Sequence, residues 1–153
     1  MALQFQPKVG DVLMCDFDGF VEPEMVKKRP VVIIARNKFN SKLVTIVPLS
    51  TTEPETLESH HYPLPINPVP AQRSRKCWAK CDMISTISID RLDRLKDGYT
   101  RVIPKLNQKD IQEIRLCVMH ALQLQNTVIS SQLAATQNPA ATTEDVAAGS
   151  AKQ

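Results

Sequence analysis

A chain of 153 residues with 42% hydrophobic and 23% charged residues suits one domain with a genuine core, and its composition is that of an ordinary globular protein. No apolar run approaches membrane-spanning length, and the N-terminus carries no signal-type apolar stretch, so a cytoplasmic protein is expected. The net charge of +3 is compatible with nucleic acid without demonstrating it. Residues 126–153 hold one basic and two acidic residues, which leaves residues 1–125 with a net +4. The four cysteines, Cys15, Cys77, Cys81 and Cys117, are widely spread and read as reduced packing residues. Cys77 and Cys81 are separated by three residues rather than the two of a zinc knuckle, so no metal site is expected even with His60 and His61 nearby in sequence.

The first predicted strand covers residues 12–17 and ends at the turn signal Asp18-Gly19. A long connection containing Glu22, Pro23 and Glu24 follows, without period, and reads as a flexible loop of the kind that carries lids and binding surfaces. Lys27-Lys28-Arg29-Pro30 then runs into Val31-Val32-Ile33-Ile34-Ala35. The β-branched run predicts a buried strand, and Pro30, which has no N–H to donate, is expected at its first position. That leaves Arg29 at the strand's mouth, where a planar, charged fork suits phosphate.

A polar connection over residues 36–42 leads to a strand over residues 43–47, stopped by Pro48 and followed by Leu49-Ser50-Thr51-Thr52. In an antiparallel hairpin the start of one strand lies beside the end of its partner, so Arg29 and the hydroxyl cluster can be neighbours. Taken alone, Ser50–Thr52 reads as a turn and cap. Residues 53–76 are irregular and proline-rich, which argues for an edge or an extended loop. Lys76-Cys77-Trp78-Ala79-Lys80-Cys81-Asp82 alternates cleanly, with Cys77, Ala79 and Cys81 on one face. The other face gathers Lys76, Trp78, Lys80 and Asp82, which is either a base-stacking, phosphate-binding surface or a core-covering ring edged by solvated charges. Residues 99–103 predict a last strand. Asn107 predicts a helix cap with Asp110 three residues on, opening an amphipathic helix that includes Ile111, Ile114 and Val118. From Asn126 the composition becomes polar and alanine-rich, so residues 1–125 read as the folded domain and 126–153 as a low-complexity, disordered tail.

The pieces Gly10-Asp11-Val12 with Asp16-Phe17, Glu24 before Arg29-Pro30-Val31-Val32, Val47-Pro48-Leu49-Ser50-Thr51, and Lys80-Cys81-Asp82 leading through Ser85-Thr86-Ile87 to Arg91-Leu92 recur in a distinctive order. Together with the terminal helix they resemble the MazF/PemK (Kid) toxin family over approximately residues 9–125. The resemblance implies a mainly β (α+β) fold, a small SH3-like β-barrel of the Kid/MazF/CcdB type with a C-terminal helix, assembled as a homodimer. It implies an endoribonuclease that cuts single-stranded RNA without metal or cofactor and is neutralised by a cognate antitoxin. It assigns catalysis to Arg29, Ser50, Glu24 and Asp82, and RNA contacts to Lys28, Thr51, Lys76, Trp78 and Lys80. The chain departs from the family pattern at Lys80, where an arginine is usual, at Met83, where glutamine is common, and at Ser85, where a basic residue is common. Two further readings of the residues stand beside this one: a non-catalytic barrel of the gyrase-poisoning type, and a single-stranded nucleic-acid-binding module using Trp78 and the cations of residues 73–80.

Overall fold

The β-branched runs of this sequence become the centre of an antiparallel sheet. The computed structural model describes residues 3–137, with strands β1 (Val12–Cys15), β2 (Arg29–Arg36), β3 (Leu43–Ser50), β4 (His61–Leu64), β5 (Cys77–Lys80), β6 (Ser85–Ser88), β7 (Leu92–Asp93), β8 (Leu95–Asp97) and β9 (Thr100–Val102), followed by helices α1 (Gln108–Ala121) and α2 (Gln125–Gln137). The main sheet runs β4-β5-β3-β2-β1-β7, β6 also pairs with β3, and β8–β9 form a separate two-stranded ribbon. This is the expected mainly β class with a C-terminal helix. Among the described residues no ladder joins β4 to β7, so the backbone hydrogen bonding follows an open path rather than a closed ring.

Both central strands outrun their predicted limits. β2 begins at Arg29, with Pro30 opposite Met14 of β1. β3 passes through Pro48 to Ser50 instead of stopping at Val47. On the flank away from β2, β6 pairs with β3 up to Ile46 and β5 takes over at Leu49. Pro48 falls in the gap between them, where a strand tolerates a residue that cannot donate.

Alternation along β2 feeds two cores. Val32 and Ile34 join a cluster with Ile111, Ile114 and Val118 of α1. Val31 and Ile33 join Leu13, Ile46, Ile87 and Leu92 on the opposite face. A strand buried on both sides reads as an unbroken apolar run, which is why residues 31–35 show no polar alternation. Helix α1 starts as its sequence requires: the Asn107 side-chain oxygen accepts from the Asp110 backbone N–H at 2.8 Å, and the Asn107 amide donates to the Asp110 carboxylate at 2.8 Å. Asp110 is itself buried, and its second oxygen accepts from the Tyr62 hydroxyl at 2.8 Å. One carboxylate thus holds the capping side chain of Asn107 and ties edge strand β4 to the helix.

The chain divides into two units, residues 1–122 and residues 123–153. Where composition predicts a disordered tail from Asn126, residues Gln125–Gln137 form α2. Ser130, Ser131 and Thr136 turn their hydroxyls back onto the carbonyls of Asn126, Thr127 and Gln132, so polar side chains that would compete with a helix are absorbed by it. Pro139 and the residues after it lie outside the described residues.

Candidate functional site

Strand registers assemble the site. Cys15 pairs with Arg29 across β1–β2. Val31 pairs with Pro48 across β2–β3, and continuing that register by two residues sets Arg29 across from Ser50. Ser50 pairs with Trp78 across β3–β5, and Trp78 with Pro63 across β4–β5. Directly opposed residues share a face, so Arg29, Ser50 and Trp78 stand in one row crossing three strands. The expected neighbourhood of Arg29 and the hydroxyl cluster is therefore present.

Arg29 is partly buried, its Nε is shielded without a partner, and among the described residues its side chain forms no hydrogen bond or ion pair. Leaving a buried donor unpaired costs about 1–3 kcal/mol, a cost that an oxyanion gripped by the guanidinium removes. Ser50 is buried and its Oγ accepts from the Thr52 backbone N–H at 3.1 Å. That bond uses an oxygen lone pair and leaves the hydroxyl proton free to donate. Arg29, Ser50, Thr51 and Lys28 line one small cleft of about 160 Å³ together with Gln72 and Cys77, and no acid lines it.

The two carboxylates expected at the site lie elsewhere. Glu24 and Asp82 line a second groove of about 300 Å³ with Phe20, Met83 and Ser85. Both are exposed, and one Glu24 oxygen accepts from the Val21 backbone N–H at 2.7 Å, closing a turn within its own loop. Lys76 pairs with Glu53 at 3.2 Å and stands 5.9 Å from the Trp78 ring centre. Lys80 sits opposite His61 across β4–β5. Of the two readings of Trp78, burial favours the core-covering one: it is 5% exposed, so its ring offers no open stacking platform. Alternation shows which residues share a face but not whether that face is covered.

Of the two histidines, unplaced by sequence, His61 opens the edge strand and His60 lies in the turn before it. Their ring centres are 4.1 Å apart with the planes tilted by 49°, and burial, followed by repulsion from His60, lowers the His61 pKa below the usual histidine value. Three strand spacings separate β4 from β2, roughly 14 Å, too far for His61 and Arg29 to grip one phosphate.

Two contributions escaped sequence reasoning. Arg91 donates to the carbonyls of Asp16 (3.1 Å) and Asp18 (2.7 Å) and lies over the Phe20 ring at 5.1 Å, so the connection expected to be flexible is pinned at its base. Lys28 closes that connection's other end through Asp16 at 3.1 Å. The proline-rich segment folds around buried Asn67, whose amide donates to the carbonyls of Gln72 (2.8 Å) and Arg75 (3.2 Å), and so delivers Val69 and Gln72 to the cleft. An asparagine before proline was the available signal, since it marks a side-chain-closed turn.

An antiparallel, mainly β unit with a C-terminal helix is a fold that solved structures share. The chain is similar to MazF from Deinococcus radiodurans (TM-score 0.59, 13% identity, covering 78% of this chain and 99% of that one). It is also similar to an endoribonuclease in complex with its cognate antitoxin from a mycobacterial species (TM-score 0.53, 20% identity, covering 77% and 96%). Among curated sequences, YifN of Escherichia coli (strain K12) is 31% identical over 150 residues, covering 82% of this chain and all of that one. Residues 8–122 match the model of the PemK-like, MazF-like toxins of type II toxin–antitoxin systems. The chain belongs to that family.

Proposed function

We propose that this protein is a metal-independent endoribonuclease that cleaves single-stranded RNA and is held in check by a cognate antitoxin. The observation that carries the reading is the Arg29–Ser50 pair: an arginine without an internal partner beside a hydroxyl with its proton available, in a cleft free of acids. That arrangement suits a phosphodiester. The RNA's own 2′-hydroxyl loses its proton and attacks phosphorus, and the P–O5′ bond breaks. A 2′,3′-cyclic phosphate forms, and the departing 5′-oxygen takes up a proton.

Charge gathers on the non-bridging oxygens as the pentacoordinate state forms. Arg29 can hold two of them in its fork while Ser50 donates to one. Lys28 and Thr51 line the same cleft and suit the adjoining backbone. Proton transfer falls to the carboxylates of the second groove, Glu24 and Asp82, each able to accept the 2′-hydroxyl proton where the scissile nucleotide reaches it. Lys76 and Lys80 attract the backbone at longer range. A homodimer working in the cytoplasm, with an antitoxin like that of the mycobacterial complex, completes the reading.

Incubation with a long unstructured RNA in EDTA, followed by mapping of ends, tests it. Cuts carrying 5′-hydroxyl ends are expected, and Arg29→Ala should slow them ~100-fold or more. RNA that stays intact with the native protein, or cleavage indifferent to Arg29, overturns the reading. RNA retained uncut in a salt-sensitive manner points to a binding module instead.

A further inference from the structure

The Arg29–Ser50 cleft is not isolated. It shares Met14, Lys28, Val69 and Gln72 with a much larger groove of about 610 Å³. The far wall of that groove is built by β7, the β8–β9 ribbon and the 3-10 turn Ile89–Arg91. It presents Arg91, Arg94, Lys96 and Arg101. Three acids also line it, Asp16, Asp90 and Asp93, and most of the cations are already engaged. Lys28 pairs with Asp16, Arg101 with Asp93, and Arg91 holds the β1–β2 connection. Lys96 has no hydrogen bond or ion pair among the described residues, and the Arg94 guanidinium lies 5.8 Å over the ring of Phe5 without an acid partner. Both are exposed, as is Phe5.

Charge separates this direction from the alternative. The two connected clefts are lined by six cations and three acids, a surplus equal to the +3 of the whole chain. The Glu24–Asp82 groove is lined by two acids and no cation. Beyond the scissile nucleotide, the polyanionic strand meets attraction toward the cationic groove and repulsion toward the acidic one. Coulomb interaction at groove distances is weak in water, but it accumulates along a chain with one charge per nucleotide.

We propose that the RNA strand continues from the Arg29–Ser50 cleft into the groove of β7 and the β8–β9 ribbon. There Arg94 and Lys96 hold the phosphates flanking the scissile one, and Phe5 offers its exposed ring to a base. This rests on the RNA reading above and adds the path of the strand. Cations that only position phosphates strengthen binding of all sequences alike and make it salt-dependent, whereas the small cleft acts on one phosphate.

Binding of 2′-O-methyl RNA to the full-length protein isolates the proposal from catalysis, because the blocked 2′ oxygen cannot attack. Arg94→Glu and Lys96→Glu should each weaken binding of a long oligonucleotide several-fold. The double variant should lose ~10-fold or more, and its salt slope should fall by ~0.7 for each contact removed. The loss should shrink as the oligonucleotide is shortened toward the scissile dinucleotide. The milder Arg94→Gln and Lys96→Gln should follow the same order with smaller losses, with circular dichroism reporting an unchanged fold.

Unchanged affinity and slope in the double variant overturn the proposal even if native RNA is still cut with Arg29 dependence. A loss that does not shrink with RNA length overturns it as well. So does a double variant that binds RNA normally but no longer self-associates, or no longer binds an acidic antitoxin peptide. Failure of the nuclease reading shows itself separately, as native RNA left intact whatever the binding result.

Discussion

At the scale of single residues, the proposed function concentrates in two side chains that strand register brings together. Ser50 lies between Arg29 and Trp78, and its backbone-fixed Oγ has little freedom to wander. Ser50→Ala should therefore lower the cleavage rate ~10-fold or more with little change in RNA affinity. Ser50→Thr, which keeps the hydroxyl, should recover much of that rate; rate constants under single turnover decide it. Tyr62 supports a different prediction. Burial, reinforced by its hydrogen bond to Asp110, pushes the Tyr62 hydroxyl from its ordinary 10.0 up to about 12. The folded state thus holds that proton more tightly than the unfolded chain. The stability so contributed is complete below about pH 10 and is lost as pH rises toward 12. Urea midpoints measured across that window should fall less steeply for Tyr62→Phe than for the native chain. Arg29 was legible in the sequence because a proline and an apolar run fixed its place at a strand mouth. Trp78 was not, because burial depends on which segments cover a face, and those come from distant parts of the chain.

Elements decide how firmly the residues are presented. The connection between β1 and β2 carries Glu24 and Lys28, and Arg91 anchors it through two carbonyls and an aromatic face. Arg91→Ala should raise amide exchange across residues 18–28 and slow cleavage, while leaving exchange in β3 unchanged. Lysine at this position keeps the charge but not the planar guanidinium over Phe20, so Arg91→Lys should restore little. Gly10 fixes another junction: its φ is +91°, and an added Cβ would approach the Leu106 carbonyl oxygen to 3.2 Å. Gly10→Ala should cost about 1–3 kcal/mol in a urea titration. The helix start at Asn107 was readable because a cap works through neighbours in sequence. The partner of its acid, Tyr62, was not, since 48 residues separate the two. The extent of β2 and β3 was underestimated for a related reason: proline reads as a stop unless one knows that neither β5 nor β6 pairs with β3 at that position.

For the molecule as a whole, both apolar clusters lie within residues 1–122. A chain ended after Gln125 should accordingly unfold at the same urea concentration as the full-length protein, and should cut RNA at the same rate. The arrangement around β3 has a further consequence, for how the protein breathes. Along one flank β3 pairs with β2 from Val44 to Pro48 with a single register shift, whereas β5 pairs with its other flank only at Leu49 and Ser50. The β4–β5 ribbon is held instead from the helix side, by Tyr62 on Asp110 and by the Cys81 thiol donating to the Ile114 carbonyl at 3.6 Å. Loosening of α1 therefore frees the ribbon as a flap, and with it the wall that backs Ser50, while β2 and β3 stay paired. Whatever grips the helix sets how often the Ser50 hydroxyl loses its support.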